Sequence, residues 1–248
     1  MTVLRYDGTW EGFLSAVFEA FRREHRDVTI ARADAEPAGL FAAEDIPSNE
    51  KRALRVERGM RKLGRDAAET LYMAWLSELE GVDDAIAGYM RVGFAEKIDP
   101  AIHVLHPDVA LVQKAARRVG WEAQRMRQFV RFVDVNGIFV ADIEPLFDVL
   151  TLIAPHFHGR FNDQRLMIRD IRRRRALVSE TAGWHIADLG EDPLPPLPRD
   201  GLYENLWRGY FKAIANLARK NPKLQRQFIP LRYRAHLTEF QGEGDARS

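Results

Sequence analysis

The stretch Phe132-Val133-Asp134-Val135, Asn136-Gly137, Ile138-Phe139-Val140-Ala141 does more than any other to limit the fold. Two β-favouring runs flank an Asn-Gly pair, and a type I′ hairpin turn needs positive φ at both central positions, which this pair tolerates best. Just before it, from about residue 49 to 132, nearly everything has helical periodicity, with breaks near Gly64, Gly81, Asp99-Pro100 and His106-Pro107. A chain that changes from a long helical stretch to tight hairpins reads as α+β. The expectation is a small antiparallel sheet with hairpins, packed with a mostly helical region.

The flanking segments extend this reading. Residues 3–6 are β-favouring and run into Asp7-Gly8, after which Thr9 can cap a helix whose apolar residues Trp10, Phe13, Leu14, Val17, Phe18 and Phe21 recur at helical spacing. Residues 27–31 read as a short strand, and 36–48 as a loop with brief extended pieces around Pro37 and Pro47. Helix is expected again over 145–157, and a second hairpin over 164–178 with 183–189. PLPPLP at 193–198 reads as a spacer, and 202–217 as a last amphipathic helix before a basic tail. No repeat of the solenoid kind is present. The linkers are short, so the chain reads as a single α+β domain over 1–248, with a helical middle (49–132), a hairpin-rich part (133–189) and a basic helical end (202–240).

Composition supports a folded core, with 46% hydrophobic and 10% aromatic residues in 248. Net charge is only +1, so the molecule as a whole offers a polyanion no attraction, but the charge is unevenly spread. Residues 1–50 hold five basic and ten acidic side chains, whereas 203–236 hold eight basic residues against Glu204 alone. There is no cysteine, which excludes disulfides, thiol nucleophiles and a self-held iron–sulfur cluster. The first residues lack a basic region followed by an apolar run, and no apolar stretch approaches a membrane span, so a cytoplasmic soluble protein is expected.

Motifs for catalysis are sparse. His103-x-x-His106 and His156-x-His158 bring imidazoles together, with Asp163 nearby, yet neither spacing is specific for zinc and no metal or cofactor is expected. GMRKLG at 59–64 shares its glycine spacing with a phosphate loop but lacks the following Lys-Ser/Thr, and reads as a helix ending. No G-x-S-x-G elbow occurs.

Basic residues interleaved with aromatics are more informative, because Arg and Lys contact phosphates and aromatic rings stack unpaired bases. Such groups are Arg125, Arg127 and Arg131 with Phe129 and Phe132; Arg160 and Arg165 with Phe157 and Phe161; and the basic end with Phe211 and Tyr233. A charged helix face over an aromatic core produces the same pattern. DIRRRRALV at 170–178 is the densest case. Strand alternation sends consecutive arginines to opposite faces, so the strand is expected to end or turn within the run.

Five segments together, YDGTWEGFLSAVFEAF (6–21), EAQRMRQFVRF (122–132), IEPLFDVLTLIAPHFHGRF (143–161), IRDIRRRRAL (168–177) and LWRGYFKAIANLARKNPKLQRQFIPLRYRAHLTEF (206–240), resemble a bacterial family assigned to DNA metabolism or repair. The resemblance implies a link to a radical SAM protein acting in DNA modification or repair, and in some relatives a similar domain is fused ahead of a uracil-DNA glycosylase. This chain has Gln128 and Arg234 where the family usually has Gly and Trp. The leading expectation is a DNA-binding accessory of a repair or modification system, with DNA and the radical SAM protein as partners. Arg131, Arg160, Arg165, Arg172, Arg173, Lys220, Lys223, Arg226 and Arg232 are the expected phosphate contacts, and Phe161 and Tyr233 the expected stacking groups. Whether the chain is an enzyme is left open. One alternative is an enzyme acting on damaged or flipped bases through His156, Asp163 and Asp170. The other is a protein-interaction module without direct DNA contact.

Overall fold

A computed structural model describes residues 2–23, 28–33, 42–64 and 66–198, with Tyr233, His236 and Leu237. The expected loop at 36–41 and helix at 202–217 lie outside the described residues, as do Lys220, Lys223, Arg226 and Arg232. The chain divides into two compact units, 1–120 and 121–248.

In the first unit, strand β1 (Thr2–Tyr6) lies between β2 (Val28–Arg32) and β3 (Ala42–Asp45) and is parallel to both. Parallel neighbours need a crossover, and helix α1 (Trp10–Arg22) supplies it between β1 and β2. As the sequence indicates, Thr9 caps α1, its hydroxyl accepting from the Gly12 N–H at 2.9 Å. Helices α2 (Glu50–Met60), α3 (Ala67–Trp75) and α4 (Val82–Glu96) follow, then a single 3-10 turn at Pro100–Ile102 and the long helix α5 (Pro107–Phe129), which runs across the division. The interruptions fall where glycine and proline were read as breaks. Phe13, Leu14, Leu71, Ile86 and Met90 are almost fully buried and form the core with Trp10 and Trp75, whose rings are 5.2 Å apart.

The second unit holds a five-stranded sheet in the order β4 (Val133–Val135), β5 (Ile138–Ile143), β6 (Arg165–Asp170), β7 (Arg175–Glu180), β8 (Gly183–Asp188). The Asn-Gly hairpin forms between β4 and β5, with φ of 54° at Asn136 and 83° at Gly137, and the Gly137 N–H donates to Asp134 Oδ1 at 2.7 Å. β6, β7 and β8 form an antiparallel meander. The fold is α+β. The hairpins do not account for all of the pairing, because β5 and β6 run parallel, with helix α6 (Leu150–Arg160) as their crossover, and the first sheet is all parallel. No local turn signal marks a parallel pairing, whose partners are far apart in sequence.

Helix α6 begins at Leu150, later than the periodicity from 145 suggests. The residues before it serve as anchors: the Pro145 and Leu146 carbonyls accept from arginines of the β6–β7 turn, and the Asp148 carboxylate binds Arg175. A Pro145 ring without an N–H and a peptide committed to outside donors favour an irregular lead-in.

Candidate nucleic-acid interface at one end of the five-stranded sheet

The parallel register of β5 and β6 runs from Ile138 opposite Arg165 to Ile143 opposite Asp170. The two arginine-bearing segments therefore lie at opposite ends of β6, about 17 Å apart at 3.3 Å per residue.

At the Asp170 end, three of the four consecutive arginines lie in the turn and the fourth opens the next strand. β6 stops at Asp170, Ile171 to Arg174 make the turn, with Arg174 at φ 51°, and β7 starts at Arg175. Asp170 is fully buried, and its carboxylate accepts from the Arg173 backbone N–H and from Arg173 Nη1, both at 3.1 Å. Arg173 also donates to the Pro145 carbonyl at 3.2 Å and to the Leu146 carbonyl at 2.8 Å; Arg172 donates to Leu146 as well, at 3.2 Å. Arg174 donates to the carbonyls of Gly190 and Asp192, and Arg175 to Asp148 Oδ2 at 2.7 Å. Each arginine of the run binds a carbonyl or carboxylate of its own unit, so the charge serves to close this end of the sheet. Burial raises the Asp170 carboxyl above the usual carboxylate range, although Arg173 pulls it the other way.

The other end is more open. Helix α6 finishes there, placing exposed Arg160 and half-buried Phe161 beside the start of β6, where Arg165 is exposed. Phe161 packs against Phe132 (centroids 5.2 Å) and Phe139 (6.1 Å), and the Arg160 guanidinium lies 5.9 Å from the Phe161 ring. Across the sheet, the register aligns Phe139, Leu166, Ser179 and Trp184 in one row. Paired residues project to the same face, and α6 covers it, since His158 Nδ1 is 2.9 Å from Ser179 Oγ. Trp184 ends that row on the edge strand with 38% exposure. Arg165 has Glu180 at 3.6 Å as a partner, which an incoming anion has to displace.

The remaining sequence-selected groups are dispersed. Arg131 folds back on the carbonyls of Gln128 (3.0 Å) and Val130 (3.4 Å). Tyr233 is buried at 3% exposure. His156 and Asp163 are exposed at the Arg160 end, whereas Asp170 is buried at the opposite one, so the three do not converge. Burial, with Arg127 and Arg160 nearby, holds the His156 imidazole below its ordinary value. Among the described residues no group of three His, Asp or Glu is placed to hold a metal ion, and no helix is long and apolar enough to cross a membrane.

Sequence reasoning passed over Phe139, whose ring meets Phe161, and Trp184, which strand register brings to the same end of the sheet. It also passed over a polar network in the first unit. The Tyr6 hydroxyl donates to Asp83 Oδ2 at 3.0 Å and accepts from Trp75 Nε1 at 3.0 Å and Arg32 Nε at 3.2 Å. Burial pushes the Asp83 carboxyl up to about 6, and burial together with Asp83 raises the Tyr6 phenol.

Helices with sheets of three and five strands define an α+β protein. The sequence pattern of a family described as a domain of unknown function, DUF4130, matches residues 80–239, and the chain belongs to that family. The match takes in α4 through β8 and leaves β1 to α3 outside. No curated protein matches the chain.

Proposed function

We propose that the chain is a cytoplasmic DNA-binding accessory of a repair or modification system. In this reading Arg160 and Arg165 contact phosphates while Phe161 and Trp184 stack unpaired bases. The observation that carries it is the grouping of exposed arginines and partly exposed aromatics at one end of the five-stranded sheet, the combination that single-stranded nucleic acid requires. The sequence resemblance to a DNA metabolism or repair family adds to it. A chain without cysteine leaves any iron–sulfur chemistry to its partner, which fits an accessory to a radical SAM enzyme. The Asp170 end contributes less, because its arginines are engaged internally.

Fluorescence anisotropy of labelled oligothymidylate and duplex DNA, with the purified chain alone, tests the proposal. Binding that falls as salt rises is the expected result. Absence of binding to either at low salt overturns direct DNA contact and leaves the docking role.

A further inference from the structure

The first unit carries an open cleft of about 500 Å³ among α1, α2 and α4. Phe18, Phe21, Val56, Met90 and Phe94 make its floor, with Arg22 and Arg55 at the rim. Phe94 is 39% exposed, a large share for a phenylalanine in a cleft. Gly59 keeps the floor low: a Cβ there would stand 3.0 Å from Phe94 Cζ, so a side chain would collide with that ring or displace it.

A basic stripe flanks the cleft. Lys51, Arg55 and Arg58 follow one another along α2 at four- and three-residue spacing, which puts them on one face, and Lys62 comes four residues later, just past the helix end. All four are exposed, and none has an ion-pair partner among the described residues. Two carboxylates of α1 and α2 are engaged with other arginines: Glu19 accepts from both Arg22 and Arg52 at 2.8 Å, and Glu57 from Arg61 at 2.6 Å. From Lys51 to Lys62 the stripe is about 16 Å long at helical rise, three turns of a partner helix.

We propose that this cleft docks an acidic amphipathic helix of a protein partner, its apolar side chains entering the Phe18–Phe94 floor and its carboxylates lying along Lys51, Arg55, Arg58 and Lys62. Charge complementarity selects the acidic partner, and an apolar groove beside a helix is the usual receptor for apolar anchors at i, i+3 and i+7. The floor disfavours nucleic acid. Arg52 and Arg55 lie 5.7 and 5.6 Å from the Phe18 ring, Phe21 and Phe94 meet edge to face at 70°, and among the described residues no polar side chain beyond the rim arginines lines the site to pair a base edge. A bilayer fits poorly as well, since the apolar surface is concave and cannot enter lipid.

The test is anisotropy of a labelled helical peptide with leucine at i, i+3 and i+7 and glutamate on the flanks, titrated with the full chain. Binding is expected, weakened about tenfold or more by the double variant Arg55→Glu, Arg58→Glu, and equally by replacing the peptide leucines with serine. Both protein positions are exposed, and the serine peptide leaves the protein untouched, so misfolding cannot mimic the result. The variant Arg160→Ala, Arg165→Ala must leave peptide binding unchanged, which separates this cleft from the DNA interface. Failure of the leucine peptide to bind at low salt overturns the proposal. So does equal binding of the serine peptide, or oligothymidylate or anionic vesicles losing affinity with the same Arg55 and Arg58 changes while the peptide does not.

Discussion

At the scale of single residues, Asp170 and Arg173 form a buried ion pair whose members depend on each other. The carboxylate is fully buried and the Arg173 side chain is 10% exposed, so removing the arginine leaves a charge without its counter-ion away from water. Arg173→Ala should therefore cost about 3–5 kcal/mol, whereas Arg172→Ala, from an exposed position, should cost under about 1 kcal/mol. Urea midpoints of the two variants check the contrast; equal losses refute it. Asp83 supplies a pH dependence. Its folded-state pKa of about 6 lies above the ordinary aspartate value of 3.8, so between these values the native state holds more protons than the unfolded chain. Its contribution to stability therefore falls as pH rises from about 4 to 6, at most about 1.4 kcal/mol per pH unit, and is level above that window. Asp83→Asn should remove this component, so the difference in urea midpoint between wild type and variant should move in the variant's favour from pH 4 to 6 and then stay constant. A difference that does not change with pH argues against a raised Asp83.

At the scale of elements, the β4–β5 hairpin depends on a backbone that few residues accept. Gly137 sits at φ 83°, and Gly137→Ala should destabilise the unit by about 1–2 kcal/mol, read from thermal or urea unfolding. The edge strand β8 contributes Trp184 to the proposed interface. Trp184→Ala should weaken oligothymidylate binding by about 1–3 kcal/mol while changing duplex binding much less, as stacking on unpaired bases requires. Equal effects on both ligands refute a stacking role. These two cases also divide what could be read from sequence. The hairpin is a contiguous signal, two β-favouring runs and a two-residue turn, so its position was legible. The placement of Trp184 at the far end of the row that starts at Phe139 depends on β6 pairing with β5 in parallel and with β7 in antiparallel register, and no local pattern encodes those distant pairings.

For the whole molecule, a net charge of +1 gives no general attraction to DNA, so affinity must arise from local arrangement. The two phosphate contacts predict a slope of about −1 to −2 for log affinity against log salt, and Arg160→Ala should reduce it by somewhat under one unit. A slope near zero contradicts phosphate contact.

The sequence by itself determined the α+β class, the first strand–turn–helix, the helical middle with its breaks at glycine and proline, the Asn-Gly hairpin, and the absence of thiol chemistry. Each depends on residues within a turn or two of one another, where propensity and periodicity act directly. It also showed that four arginines in succession cannot share one face of a strand. Only the tertiary structure decided what those arginines do, because the Pro145, Leu146 and Asp148 acceptors that bind them lie more than twenty residues earlier, across a parallel crossover. The same long-range packing left Arg160 exposed beside the Phe161 ring and Arg165 exposed at the start of β6, and aligned the basic face of α2 with an apolar cleft floored from three helices.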